Sequence, residues 1–158
     1  MYKTSTYFIK AQIPGVTQKD LVDLYKRELE IQSVNNISAD VNTISFINNF
    51  FRFIPTKSAN KFSSFSQGKI EIVDEADEFG IYFQATTTRV FASAGLMAAL
   101  AALLCLFNDG FNFFCLIVGA IVFVLLVIIS FISTTISFPV YFTGLRNNIE
   151  EELRSAGH

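Results

Sequence analysis

Apolar and polar positions change period twice along this chain. Tyr7, Ile9, Ala11 and Ile13 alternate with Phe8, Lys10 and Gln12, the two-residue period of a strand, which Pro14-Gly15 ends. Thr17 followed three residues on by Asp20 predicts a helix start, the acid favouring the positive end of the helix dipole. Leu21, Leu24, Tyr25 and Leu29 then recur at helical spacing, an apolar stripe suited to lie on a sheet. Strand-like runs at Val34 to Val41 and Thr43 to Phe51 follow, interrupted by Asn35-Asn36 and Asn48-Asn49. A hairpin comes next: Ile70 and Ile72 alternate around Glu71 in residues 68–74, an acidic turn runs from Glu75 to Glu78, and Phe79 to Thr88 returns. The expected fold of residues 1–89 is a small α+β domain of β-α-β-β-β type, long enough for one modest core.

Beyond Arg89 the alternation gives way to continuous apolar sequence. Residues 90–107 contain no charge, and residues 111–138 contain none either. At ~1.5 Å per residue the shorter run reaches ~27 Å, close to the thickness of a bilayer's hydrocarbon core. A domain of this size cannot cover two helices that are apolar on every side, so the spacing predicts two transmembrane helices, residues 90–107 and 111–138. Asn108, Asp109 and Gly110 form a tight turn sequence between them, which makes the pair an antiparallel helical hairpin. Residues 139–158 read as a cytoplasmic C-terminal amphipathic helix, with Leu145, Ile149 and Leu153 in one line that suits the domain's sheet or another chain.

Composition agrees with this division. The chain of 158 residues is 51% hydrophobic and 16% charged, against ~25% charged for an average soluble domain. The shortage belongs to the hairpin: after Arg89 the only Asp, Glu, Lys or Arg residues are Asp109, Arg146, Glu150, Glu151, Glu152 and Arg154. A net charge of -2 provides no broad field for nucleic acid, and two cysteines do not make a disulfide scaffold. Arg89, Arg146 and Arg154 flank the spans while the turn lacks Lys and Arg, so the positive-inside rule puts both termini in the cytoplasm, at a plasma or inner membrane.

Candidate contact residues fall in three groups. Ala94, Ala98 and Ala102 repeat every four residues with Gly95 and Ala99 beside them, a small-residue face that lets helix backbones approach, either the second span or another protein. Phe50, Phe51, Arg52, Phe53, Lys57, Lys61, Phe62 and Phe65 mix bases with aromatics. That pattern suits a membrane surface or a partner, the alternative being core residues followed by an ordinary loop. The turn residues Asn108, Asp109 and Gly110 form the third group. Cys105 and Cys115 lie near that turn, as packing residues or as a pair on the non-cytoplasmic side. Ser133, Thr134, Thr135 and Ser137 make a hydroxyl-rich end to the second span, expected to stop at Pro139.

No catalytic residue, metal set or cofactor motif emerges. The single His is His158, and Walker A, G-x-G-x-x-G, G-x-S-x-G, H-E-x-x-H and C-x-x-C patterns are missing. The expectation is a non-enzymatic, membrane-anchored accessory protein whose partners are the lipid bilayer and either a larger membrane complex or further copies of itself. An oligomeric pore or transport element lined by the hydroxyl-rich end is the alternative, and an enzyme acting at the lipid interface is a third reading.

Overall fold

A computed structural model describes residues 1–48, 61–62, 64–109 and 113–156. The chain forms β1 (Tyr2–Ile9), α1 (Gln18–Ile31), β2 (Ser38–Ala39), β3 (Thr43–Ile47), β4 (Gln67–Asp74) and β5 (Glu78–Thr86). The helices α2 (Thr88–Asp109), α3 (Phe113–Ile132) and α4 (Phe138–Ala156) follow, with a π-helical turn at Ser133–Ser137 joining the last two. These five strands form one antiparallel sheet in the order β1-β5-β4-β3-β2. The expected α+β class therefore holds, with one more strand than the simplest reading of the sequence.

The hairpin β4–β5 forms where the alternation placed it, with Ile70 opposite Phe83 and Ile72 opposite Ile81, all four wholly buried. Gly68 sits where β4 crosses Phe46 of β3, and any Cβ there would collide with that ring. α1 begins as expected: the Thr17 hydroxyl accepts from the Asp20 N–H while the Asp20 carboxylate accepts from the Thr17 N–H at 2.8 Å, a reciprocal cap. The Thr17 hydroxyl also donates to the Asp20 carboxylate at 2.7 Å, and that bond, with the one from the Thr17 N–H, holds the Asp20 carboxyl below the usual carboxylate range. Leu21, Val22, Tyr25 and Leu29 form the buried stripe of α1.

β1 departs from the expected strand in both extent and face. It starts at Tyr2 and ends at Ile9, and Lys10–Gln12 coil into a 3-10 turn. Phe8, opposite Phe79 on β5, is fully buried, while Tyr7 and Ile9 are exposed. A two-residue period fixes which side chains share a face but not which face meets the core. Here the covered face is the one carrying Phe8. The run from Val34 to Val41 supplies only the two-residue strand β2, and the second half of the expected Thr43 to Phe51 strand lies outside the described residues from position 49 onward.

The core lies between one face of the sheet and two helices, and the second of these comes from the far side of the apolar hairpin. α4 returns to bury Phe138, Phe142, Leu145 and Ile149 beside Phe8, Tyr25, Phe65 and Phe83. Ring centroids are 4.8 Å apart for Phe65–Phe138, 4.9 Å for Phe83–Phe138 and 5.6 Å for Phe83–Phe142, contacts that add to simple area burial. Arg27 on α1 pairs with Glu152 on α4 at 2.5 Å. Arg146 stacks over Phe8 and donates from Nε to the Tyr7 carbonyl at 2.9 Å, tying α4 to strand β1. The nearly buried Glu150 pairs with both Arg146 and Arg154. The apolar hairpin is thus inserted within the α+β unit, whose last helix follows it. The C-terminal helix also does not start afresh after Pro139: α3, the π turn and α4 run on from one to the next. The π turn lies just ahead of Pro139, where the missing N–H and the ring bulk disturb regular α-helical bonding.

Two consequences are measurable. Replacing Phe142 by Ala should cost about 3–5 kcal/mol in chemical denaturation of the detergent-solubilised chain, since it opens the core where α4 seals it. Tyr25 is fully buried, its hydroxyl has no hydrogen-bond partner among the described residues, and burial pushes its phenol well above the ordinary range. With the folded value raised, the neutral phenol's stabilisation is fully present below the unfolded value of about 10 and is lost as pH rises beyond it. Tyr25→Phe should therefore be neutral or stabilising at pH 7 and should flatten the alkaline limb of the stability curve above pH ~10.

Candidate functional site

The most distinctive surface of the molecule is the apolar hairpin. α2 and α3 pack against each other in antiparallel fashion: Gly119 on α3 lies against Ala102 and Ala98 on α2, so close that an added Cβ would meet the Ala102 Cβ at 3.1 Å and the Ala98 carbonyl oxygen at 3.3 Å. Nearer the sheet, Val90 and Phe91 line a common cavity with Val127, Ser130 and Phe131. The small-residue face therefore divides. Ala94 and Ala98 are buried, and Ala102 is half-buried against Gly119. Among the described residues nothing lies within 4 Å of where a Cβ on Gly95 would be, and Ala99 is exposed. Within the chain, the seam is formed by Ala94, Ala98 and Ala102, and Gly95 and Ala99 lie outside it. Cys115 is buried and Cys105 is half-buried, and no disulfide joins them.

Outside the seam the helices show apolar side chains to their surroundings. Leu104 is 70% exposed, Phe113 72% and Phe131 68%. The stretches Thr88–Leu106 and Phe113 onward are long and apolar enough to cross a membrane. Asn108 and Asp109 form the end of α2 rather than a separate turn, and Gly110 lies outside the described residues.

The basic-aromatic segment also divides. Phe50, Phe51, Arg52, Phe53 and Lys57 lie outside the described residues. Phe62 and Phe65, expected at a contact surface, are instead wholly buried in the aromatic core, with Phe62 at 5.4 Å and Phe65 at 4.8 Å from the Phe138 ring centroid. Their apolar rings find a better partner in Phe138 than in any outer surface, and the buried Asn48 holds them there: its Nδ2 donates to the Phe62 carbonyl at 3.0 Å and the Phe65 carbonyl at 3.1 Å. Lys61 remains exposed.

Where the sheet meets the hairpin, hydroxyl groups gather. The Ser66 Oγ lies 2.7 Å from Thr86 Oγ1 and 3.0 Å from Thr88 Oγ1, linking the end of β5 to the first turn of α2. Beside it opens a cavity of about 290 Å³ lined by Tyr2 and Thr87 from the domain and by Val90, Phe91, Ser130 and Thr134 among others from the helices. A smaller cavity of about 80 Å³, lined by Lys61, Ser64, Ser137 and Tyr141 among others, also borders Thr134. Thr134 is 7% exposed, and its hydroxyl has no hydrogen-bond partner among the described residues. The hydroxyl-rich run was visible in the sequence as the end of a span. The participation of Tyr2 and Thr87 was not, because they lie far from it along the chain. Among the described residues no group of three or more His, Cys, Asp or Glu side chains is placed to hold a metal.

The hairpin seam predicts an asymmetry between two glycines. Gly119→Leu should force α2 and α3 apart and lower stability in detergent by about 1–3 kcal/mol, whereas Gly95→Leu should leave the fold of the monomer unchanged, as read by thermal unfolding. No protein-family model, curated protein or solved structure matches this chain, so the functional reading rests on its own residues.

Proposed function

We propose that this chain is a membrane-anchored accessory protein: the hairpin α2–α3 spans a bilayer, and the α+β unit stands on its cytoplasmic face as a docking module for a larger membrane complex or for further copies of the chain. The observation that carries the anchoring is the ring of exposed Leu, Ile, Val and Phe side chains around both helices, from Phe91 to Ile132. Keeping one such half-exposed side chain from water is worth about 1 kcal/mol, so leaving the whole set in water would cost more than the ~5–15 kcal/mol that holds an ordinary domain together. Hydrocarbon is the environment in which these surfaces cost nothing.

The orientation follows from charge. Arg89 precedes the first span, Arg146 and Arg154 lie on the helix that rejoins the domain, and no Lys or Arg occurs between them. Both ends of the hairpin attach to the same folded unit, which gives them a common side. The accessory role is supported by the outward-facing Gly95 and Ala99, which leave a close-approach strip on α2 unused by its own partner helix. Residues 50–57, rich in Phe with Arg52 and Lys57, suit contact with an anionic membrane surface.

Membrane fractions washed at alkaline pH should retain the chain, and extraction as a soluble protein would overturn the anchor. With Cys105 and Cys115 replaced by Ala, a single Cys at Asp109 should react with an impermeant maleimide added outside intact cells, and one at Glu28 only after permeabilisation. Cross-linking in native membranes followed by mass measurement tests the accessory role. A product larger than the monomer that disappears with Gly95→Leu is expected, and recovery only as a partnerless monomer would overturn it.

A further inference from the structure

We propose that the two cavities meeting at Thr134 form a binding site for one anionic glycerophospholipid, with its phosphate beside Lys61 and its ester and upper acyl chain beneath Tyr2. This rests on the membrane reading above and adds a specific ligand to it. The larger cavity has a lining suited to the boundary between headgroup and hydrocarbon. Val90, Phe91, Val127 and Phe131 are apolar, Thr87, Ser130 and Thr135 supply neutral hydroxyls, and among the described residues no charged side chain borders it. About 290 Å³ holds a glycerol ester and several methylenes but not a whole lipid, so the rest of the chains must lie along the exposed faces of α2 and α3. Such a partial fit is natural for a lipid that stays in its leaflet.

The smaller cavity has the complementary chemistry. Lys61, Ser64, Ser137 and Tyr141 place an ammonium and three hydroxyl-bearing side chains around about 80 Å³, close to the size of a phosphate group. Lys61 makes no ion pair among the described residues, since the pairs found there join Lys10, Lys26, Arg27, Lys69, Arg146 and Arg154 to acids. Thr134 borders both cavities, and this is the observation that singles the site out. Its hydroxyl is buried without a partner among the described residues, although a buried hydroxyl left unbonded is costly and rare. An ester or phosphodiester oxygen between the two cavities would accept from it. The π turn of Ser133–Ser137 carries Thr134, and such turns recur at functional positions.

The test uses the full chain in detergent, stripped of lipid and titrated with phosphatidylglycerol, with phosphatidylcholine and inorganic phosphate as comparisons, read by native mass spectrometry and by thermal unfolding. One phosphatidylglycerol per chain should bind and raise the melting temperature, with weaker binding of phosphatidylcholine and none of free phosphate. Thr134→Val should leave the lipid-free protein at least as stable, because it removes an unbonded hydroxyl, and should weaken phosphatidylglycerol binding about fivefold to tenfold. Lys61→Gln should abolish the preference for phosphatidylglycerol over phosphatidylcholine, and Ser130→Leu should block binding by filling the cavity. Failure of phosphatidylglycerol to bind, binding untouched by all three variants, or competition by free phosphate would each overturn the site. Failure of the membrane reading appears separately, as release of the unmodified chain from membranes at alkaline pH, whereas a chain that stays membrane-bound without taking lipid refutes only the site.

Discussion

The packing of Phe138 and Phe142 onto the sheet is the contact on which the rest of this structure depends. Both belong to the helix that follows the apolar hairpin, yet they fill the centre of a core otherwise built from residues that precede it. Phe138 stands within 4.8–5.7 Å, ring to ring, of Phe65, Phe83, Phe62 and Tyr2, which come from a connecting segment and two different strands. Without α4 the inner face of β1 and β5 would have α1 alone to cover it, and α1 lies over β3 and β4. The unit is therefore complete only after the chain has run out through the hairpin and back.

That arrangement couples the two parts mechanically. A domain joined to a helical hairpin by one linker can swivel, whereas here both helical legs leave from the folded unit itself. α2 starts two residues after β5, held by the Ser66, Thr86 and Thr88 hydroxyls. α3 passes into α4 through a π turn without a break. The end of the sheet nearest the hairpin is consequently fixed against its base, and the cavities lined by Tyr2, Thr87 and Thr134 are formed between the two parts rather than within either. A π turn suits such a junction because one helix must first pack Cys115 and Gly119 beside α2 and then Phe138 and Phe142 beside the sheet.

The buried charges follow the same logic. Glu150 on α4 is nearly inaccessible, yet it has two arginine partners, and one of them, Arg146, also lies over Phe8 and donates to the Tyr7 carbonyl. A buried carboxylate with such partners contributes less to net stability than to geometry, since a shifted α4 would leave it unpaired. Asn48 acts in the same way from the end of β3, holding the carbonyls of Phe62 and Phe65. These polar contacts fix one packing among the many that an aromatic core of this kind would tolerate.

Local periodicity was enough to determine the reciprocal cap at Thr17 and Asp20, the stripe of α1, the hairpin β4–β5 and the two long apolar helices, because each depends on residues within a few positions of one another. It left open which face of β1 would be covered, and there the side carrying Tyr7 and Ile9 was the outer one, since only pairing with β5 and coverage by the helices make that choice. It could not tell that Phe62 and Phe65 leave a basic-aromatic segment to join the core, nor that α4 closes the domain, because these contacts join residues separated by the whole hairpin. The cavities at Thr134 belong to the same class: their lining comes from both ends of the chain, and only the folded arrangement brings Tyr2, Lys61 and Thr134 to one place.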